Sequence, residues 1–93
     1  MRKITELAKY YFDNNIEKKL GNTRIETFAD ATYLYLHDNL IAYKNNNKLE
    51  ITFAGWFSNT TKERLRAFAD IRTKQGRVFV NNQEVTSTQW IEL

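Results

Sequence analysis

The chain has 93 residues, 14 Lys plus Arg against 11 Asp plus Glu for a net charge of +3, and neither cysteine nor proline. That length suits one small domain spanning 1–93, and the absence of cysteine excludes a disulfide framework and a thiolate metal site and fits a reducing compartment. The small positive excess excludes an acidic DNA mimic without announcing a polyanion partner, and no apolar run approaches the ~20 residues that cross a bilayer.

Ile4, Leu7, Ala8, Tyr11, Phe12, Ile16 and Leu20 fall on one helical stripe, which predicts an amphipathic helix over 1–20 stopped by Gly21-Asn22. Asp13-Asn14-Asn15 are poor helix formers and mark where that helix would end early or bend.

Three turns across 23–54 predict an antiparallel meander of about four strands. A turn at Ala29-Asp30 sets Ile25 opposite Leu34. A two-residue turn at Asp38-Asn39 sets Leu36 opposite Ile41 and Leu34 opposite Tyr43. A three-residue turn at Asn45-Asn46-Asn47 sets Tyr43 opposite Leu49 and Ile41 opposite Ile51. The expected core face is then Ile25, Leu34, Leu36, Ile41, Tyr43, Leu49, Ile51 and Phe53, and the expected outer face is Tyr33, Tyr35, His37, Leu40, Ala42, Glu50 and Thr52. Tyrosines present rigid contact area with a polar tip, so the outer face is a candidate binding surface unless the N-terminal helix packs across it.

At Gly55 the hydrophobic period changes from two to about 3.6. Thr60-Thr61-Lys62-Glu63 reads as a capping box opening a helix over about 60–73, with Leu65, Phe68 and Ala69 toward the sheet. Residues 62–77 hold six cations, Lys62, Arg64, Arg66, Arg72, Lys74 and Arg77, against Glu63 and Asp70, for a local net of +4. Such a segment serves as a solvated face, as the edge of a protein contact, or as a set of salt-sensitive phosphate contacts. Beyond Gly76, Val78 and Val80 alternate with Arg77 and Phe79, Asn81-Asn82 turns the chain, and 77–93 is expected to close as a β-hairpin. Trp56 is expected in the core, and Trp90, near the end of the sequence, is expected as a core plug in preference to a partner anchor. The class is α+β.

Catalytic chemistry finds little footing. His37 is the one histidine, and without cysteine no ordinary zinc set forms around it. Ser58 and Ser87 lie in no nucleophile-elbow context, and Glu50, Glu63, Asp70, Glu84 and Glu92 have no two-metal or glycosidase spacing. Three separated glycines make no phosphate loop. Asn59-Thr60-Thr61 fits a glycosylation sequon, but helix capping explains it better. The expectation is a non-enzymatic protein with no catalytic, cofactor or metal residues.

Three stretches carry a resemblance: Leu36-His37-Asp38-Asn39-Leu40-Ile41-Ala42, the run from Gly55-Trp56 through Thr60-Thr61-Lys62-Glu63-Arg64-Leu65, and Gln75 to Val80. Together they resemble small accessory proteins of tailed bacteriophages and prophages that carry a Gly-Trp followed by Thr-Thr-Lys-x-Arg, over roughly residues 23–81. The chain departs from that pattern in a single glycine before Trp56, in Arg66 where asparagine is common, and in Phe79 where tryptophan is usual. The resemblance brings no catalytic residue with it. It implies a cytoplasmic protein of the infected host that binds a host protein or ribonucleoprotein stoichiometrically and blocks it, as inhibitors of restriction or CRISPR components do. The residues expected at such a contact are Tyr33, Tyr35 and Leu40, with Lys62, Arg66, Arg72, Lys74 and Arg77 as a charged rim. A nucleic-acid-binding accessory domain using 62–77, and a minor virion or assembly component, are the alternatives.

Overall fold

The computed structural model describes residues 2–93. Helix α1 (Lys3–Asp13) is shorter than the predicted 1–20. It ends at Asn15, which takes φ 59°, while Ile16 N–H donates to Tyr11 O at 2.9 Å and Asn15 N–H to Phe12 O at 3.3 Å. That is a Schellman ending with asparagine in the left-handed position, so the poor helix formers do terminate the helix. Residues past it become an edge strand: β1 (Lys18–Leu20) pairs antiparallel with β2 (Thr23–Phe28), and Ile16 is 40% exposed.

The meander continues through β3 (Ala31–Leu36), β4 (Asn39–Lys44) and β5 (Leu49–Ile51), followed by helix α2 (Asn59–Leu65) and strands β6 (Ile71–Lys74), β7 (Arg77–Val80), β8 (Gln83–Glu84) and β9 (Ile91–Glu92). The result is α+β with two antiparallel sheets: six strands in the order β1-β2-β3-β4-β5-β9, and three in the order β6-β7-β8. The hairpin expected over 77–93 is cut short. Its first part is the β7–β8 pair turning at Asn81-Asn82, both at positive φ, but Ile91 leaves it to pair with Ile51 in the large sheet.

Register separates expectation from structure. Ile25 stands opposite Leu34, as predicted. In the next hairpin the turn is His37-Asp38, at φ 50° and 64°, the two positive values a tight two-residue hairpin needs. Tyr35 therefore pairs with Leu40, but Leu34 pairs with Ala42 and Tyr33 with Tyr43, because the register shifts between Leu34 and Tyr35. Ile41 is the extra residue of a β-bulge, and every β4 position beyond it changes face. The β4–β5 turn then takes four residues. Asn45 Oδ1 accepts from the Asn47 and Lys48 amides at 2.8 and 3.1 Å, and Lys44 pairs with Leu49, Tyr43 with Glu50 and Ala42 with Ile51. Tyr43 thus leaves the predicted core face, while Ala42 and Thr52, predicted outside, are 0% and 3% exposed.

Helix α2 covers less than the predicted 60–73, and its cap lies two residues earlier. Ser58 Oγ accepts from the Thr61 amide at 3.1 Å and pairs with the Thr61 hydroxyl at 2.8 Å, displacing the expected Thr60–Glu63 box. Past Leu65 the chain turns so that Phe68 meets Phe12 edge-on at 5.2 Å, and Ile71 starts a strand. One buried cluster joins Ala8 and Phe12 of α1, the inner residues of the large sheet, Leu65 of α2, and Ile71, Val78 and Val80 of the small sheet. Trp56, expected in the core, is 73% exposed. Ala54 and Gly55 both take positive φ just before it, and past this reversal it is the half-buried Phe57 that packs against Phe53, 4.9 Å between centroids.

Candidate functional site

Because α1, α2 and the small sheet all pack into the core from the Ile25/Leu34 side, the opposite face of the large sheet stands open. Strand alternation and the bulge decide what it carries. Tyr33 and Tyr35 project from β3, Leu40 and Tyr43 from β4, Glu50 from β5 and Glu92 from β9, all half-buried except the exposed Glu92. Tyr33 lies between its two ring neighbours, 5.3 Å from Tyr43 and 6.5 Å from Tyr35. Phe28, at the end of β2, is 77% exposed.

At the β2 side of this face the Arg24 guanidinium lies 4.2 Å above the Tyr35 ring and forms ion pairs with Glu26 and Asp38. The bond to Glu26 first, and that to Asp38 after it, raise the arginine's pKa against the opposing effect of burial. At the β5 side, Leu40, Tyr43, Glu50 and Trp90 line a cleft of about 340 Å³. Trp90, expected as a core plug, is 43% exposed because β9 docks on β5 with Ile91 turned inward. Glu50 pairs with Lys48 at 3.2 Å and stands directly opposite Glu92.

The structure brings Tyr33, Tyr35 and Leu40 together on one face and places the five named cations elsewhere. Lys62 is buried, at 9% exposure. Arg66 donates from Nε to Ile71 O at 3.2 Å. Arg72 is paired with Asp70 at 3.1 Å and Arg77 with Glu84 at 3.7 Å. Arg72 and Lys74 line a cleft of about 300 Å³ beside Phe79 and Asn82 on the small sheet. None of these cations stands beside the tyrosines in the strand pairings, since α2 and the small sheet close the core from the other side. Sequence reasoning missed Tyr43 and Arg24, and it ranked the partner-anchor role of Trp90 second to a core role. The adjacent apolar pair Ile41-Ala42, which breaks strict alternation, is the one local sign of the bulge that moves Tyr43.

The Thr-Thr-Lys-x-Arg stretch is interior. Thr61, Lys62 and Arg64 are all buried, Arg64 at 3% exposure. Arg64 donates from Nη1 to Thr5 Oγ1 at 3.0 Å, from Nε to Thr23 Oγ1 at 3.1 Å and from Nη2 to Asn22 Oδ1 at 3.4 Å. Burial lowers its pKa, and the neighbouring Glu63 charge opposes that. One side chain therefore ties α1, the β1–β2 turn and β2 to α2. Its role is to hold the fold that supports the open face.

His37 is taken up by the β3–β4 turn, with Nε2 3.5 Å from Asn22 Nδ2. Among the described residues no group of three or more His, Cys, Asp or Glu could hold a metal ion, and no helix is long and apolar enough to cross a membrane. The family described as Kyanoviridae Gp96 protein matches residues 1–92. No curated protein and no solved structure matches the chain.

Proposed function

The chain belongs to the Kyanoviridae Gp96 family, a phage protein family, and from that premise we propose that it acts by stoichiometric binding of a host protein or ribonucleoprotein through the open face of its large sheet. The observation that carries this reading is the row Tyr33, Tyr35 and Tyr43 with Leu40, left uncovered by both helices. Six strands about 4.8 Å apart give a face about 24 Å across, which suits a standard contact of ~800 Å² per partner. Aromatic side chains concentrate at the centre of such contacts because they bury much area for little lost freedom. In its sharpest form the partner is a host anti-phage component, such as a restriction or CRISPR nuclease, met in the host cytoplasm and blocked by occupation rather than by chemistry.

A second reading puts nucleic acid on the small sheet, where Phe79 stands opposite Arg72 and lines one cleft with Arg72 and Lys74. Asp70 and Glu84 already pair Arg72 and Arg77, so the local excess is a single charge and the tyrosine face is favoured.

The test is quantitative affinity purification from infected host cells. It compares wild type with Tyr33→Ser/Tyr35→Ser and with Arg72→Glu/Lys74→Glu/Arg77→Glu, all shown folded by melting curves. The expected result is a stoichiometric partner lost only with the tyrosine variant. Loss only with the charge-reversal variant would move the contact to the small sheet, and a steep salt dependence of DNA binding would then identify it as nucleic acid.

A further inference from the structure

Arg24 over Tyr35, gripped at its edge by Glu26 and Asp38, puts a planar cation on an electron-rich ring with carboxylates at its rim. In that arrangement ring attraction and charge-assisted hydrogen bonds act together. The ring-and-carboxylate half of the same set recurs at the other side of the face. Tyr43 and Trp90 stand with Leu40 and Glu50 around the 340 Å³ cleft, and Glu92 faces Glu50 directly across the β5–β9 pair. Like charges directly opposite on a sheet repel, and among the described residues Lys48 is the one cation paired with them. A second cation entering here would turn a local repulsion into two attractions.

We infer that this cleft receives a basic side chain, arginine in preference to lysine, from the protein that docks on the open face; the inference rests on the docking reading above and names the partner's chemistry. A guanidinium stacks on Tyr43 or Trp90 with its plane while its edge donates toward Glu50 and Glu92, whereas an ammonium offers only a point charge. The apolar floor of Leu40 takes the side-chain stem. The two carboxylates repel phosphate, so the partner at this end of the face is a protein surface rather than a nucleic-acid backbone.

The test titrates the folded chain with N-acetyl-arginine amide and with its neutral isostere N-acetyl-citrulline amide, following the Trp90 indole by NMR. Trp56→Phe leaves Trp90 as the single indole. The expected result is a saturable shift with arginine, about tenfold weaker with citrulline, and lost in Glu50→Gln/Glu92→Gln. That variant keeps or raises the melting temperature because it removes a repulsion. Equal responses to both probes, no saturable response, or an undiminished arginine response in the double variant would overturn the inference. Partner capture separates it from the broader reading. Capture lost by Tyr33→Ser/Tyr35→Ser but complete in Glu50→Gln/Glu92→Gln overturns the arginine subsite and leaves the docking face standing. Capture untouched by either variant removes both.

Discussion

Tyr33 stands directly opposite Tyr43 across the β3–β4 pair, with ring centroids 5.3 Å apart, because Ile41 is an extra residue that reverses the facing of everything after it in β4. Without that bulge Tyr43 would be core and Ala42 surface. The two registers predict opposite mutational outcomes. Tyr43→Ala should cost about 1 kcal/mol, the scale of an aromatic pair on a half-exposed face, and Ala42→Leu should cost about 1–3 kcal/mol through overpacking. Urea denaturation measures both. A core-sized loss of about 3–5 kcal/mol at Tyr43 with a neutral Ala42→Leu would restore the unbulged register.

Arg64 is the second long-range element. Its fork reaches Thr5, Thr23 and Asn22 at once, a geometry an ammonium cannot copy. Arg64→Lys should lose about 2 kcal/mol, and Arg64→Ala about 3 kcal/mol once the cavity is added. Arg64→Met is the sharper variant, since a well-packed apolar replacement of a buried charge can be neutral. A Met variant as stable as wild type would show that packing alone holds α1 against α2.

Glu63 lies next to that crosslink, its Oε1 accepting from the Arg2 amide at 3.1 Å. Partial burial pushes its carboxyl up. The hydrogen bonds from the Thr5 side chain and the Arg2 amide outweigh that, with the Arg64 charge assisting, and the pKa is lowered below the ordinary carboxylate value. A folded pKa below the unfolded ~4.3 means the contribution is complete above that pH and is lost as the pH falls through the folded value. Glu63→Gln should therefore lower the melting temperature at neutral pH and flatten its decline from about pH 5 to pH 3. An unchanged acid profile in the variant would remove Glu63 as a source of acid sensitivity.

Ala29 holds φ 55° at the first position of the β2–β3 turn, a conformation that crowds any Cβ against the following carbonyl. Ala29→Gly should stabilise by about 0.5–1 kcal/mol, since relief of that strain exceeds the added freedom of the unfolded chain. Ala31→Gly, within a strand, should destabilise instead. Chemical melts of the two variants in parallel provide the comparison.

What the sequence determined alone was whatever depends on near neighbours. The α+β class, the Ile25–Leu34 register, the Asn81-Asn82 turn, and the shared outward direction of Tyr33, Tyr35 and Leu40 all follow from a period of two and from residues that tolerate turns. The stop at Asn14-Asn15 was legible too, but the fate of Lys18–Leu20 was not, because an edge strand exists only by virtue of the strand it pairs with. The tertiary structure decided the rest. The bulge at Ile41 is selected by how β4 must fit β3 and β5 together. The return of Ile91 to Ile51 spans forty residues. The burial of Arg64 depends on Thr5 and Thr23, neither of which is near it in the chain. Hydrophobic period and turn chemistry act over a few residues and leave a local trace. A contact closed by a distant strand leaves little or none, so Tyr43 took its place on the open face, and Trp90 its place beside it, only once the sheet was assembled.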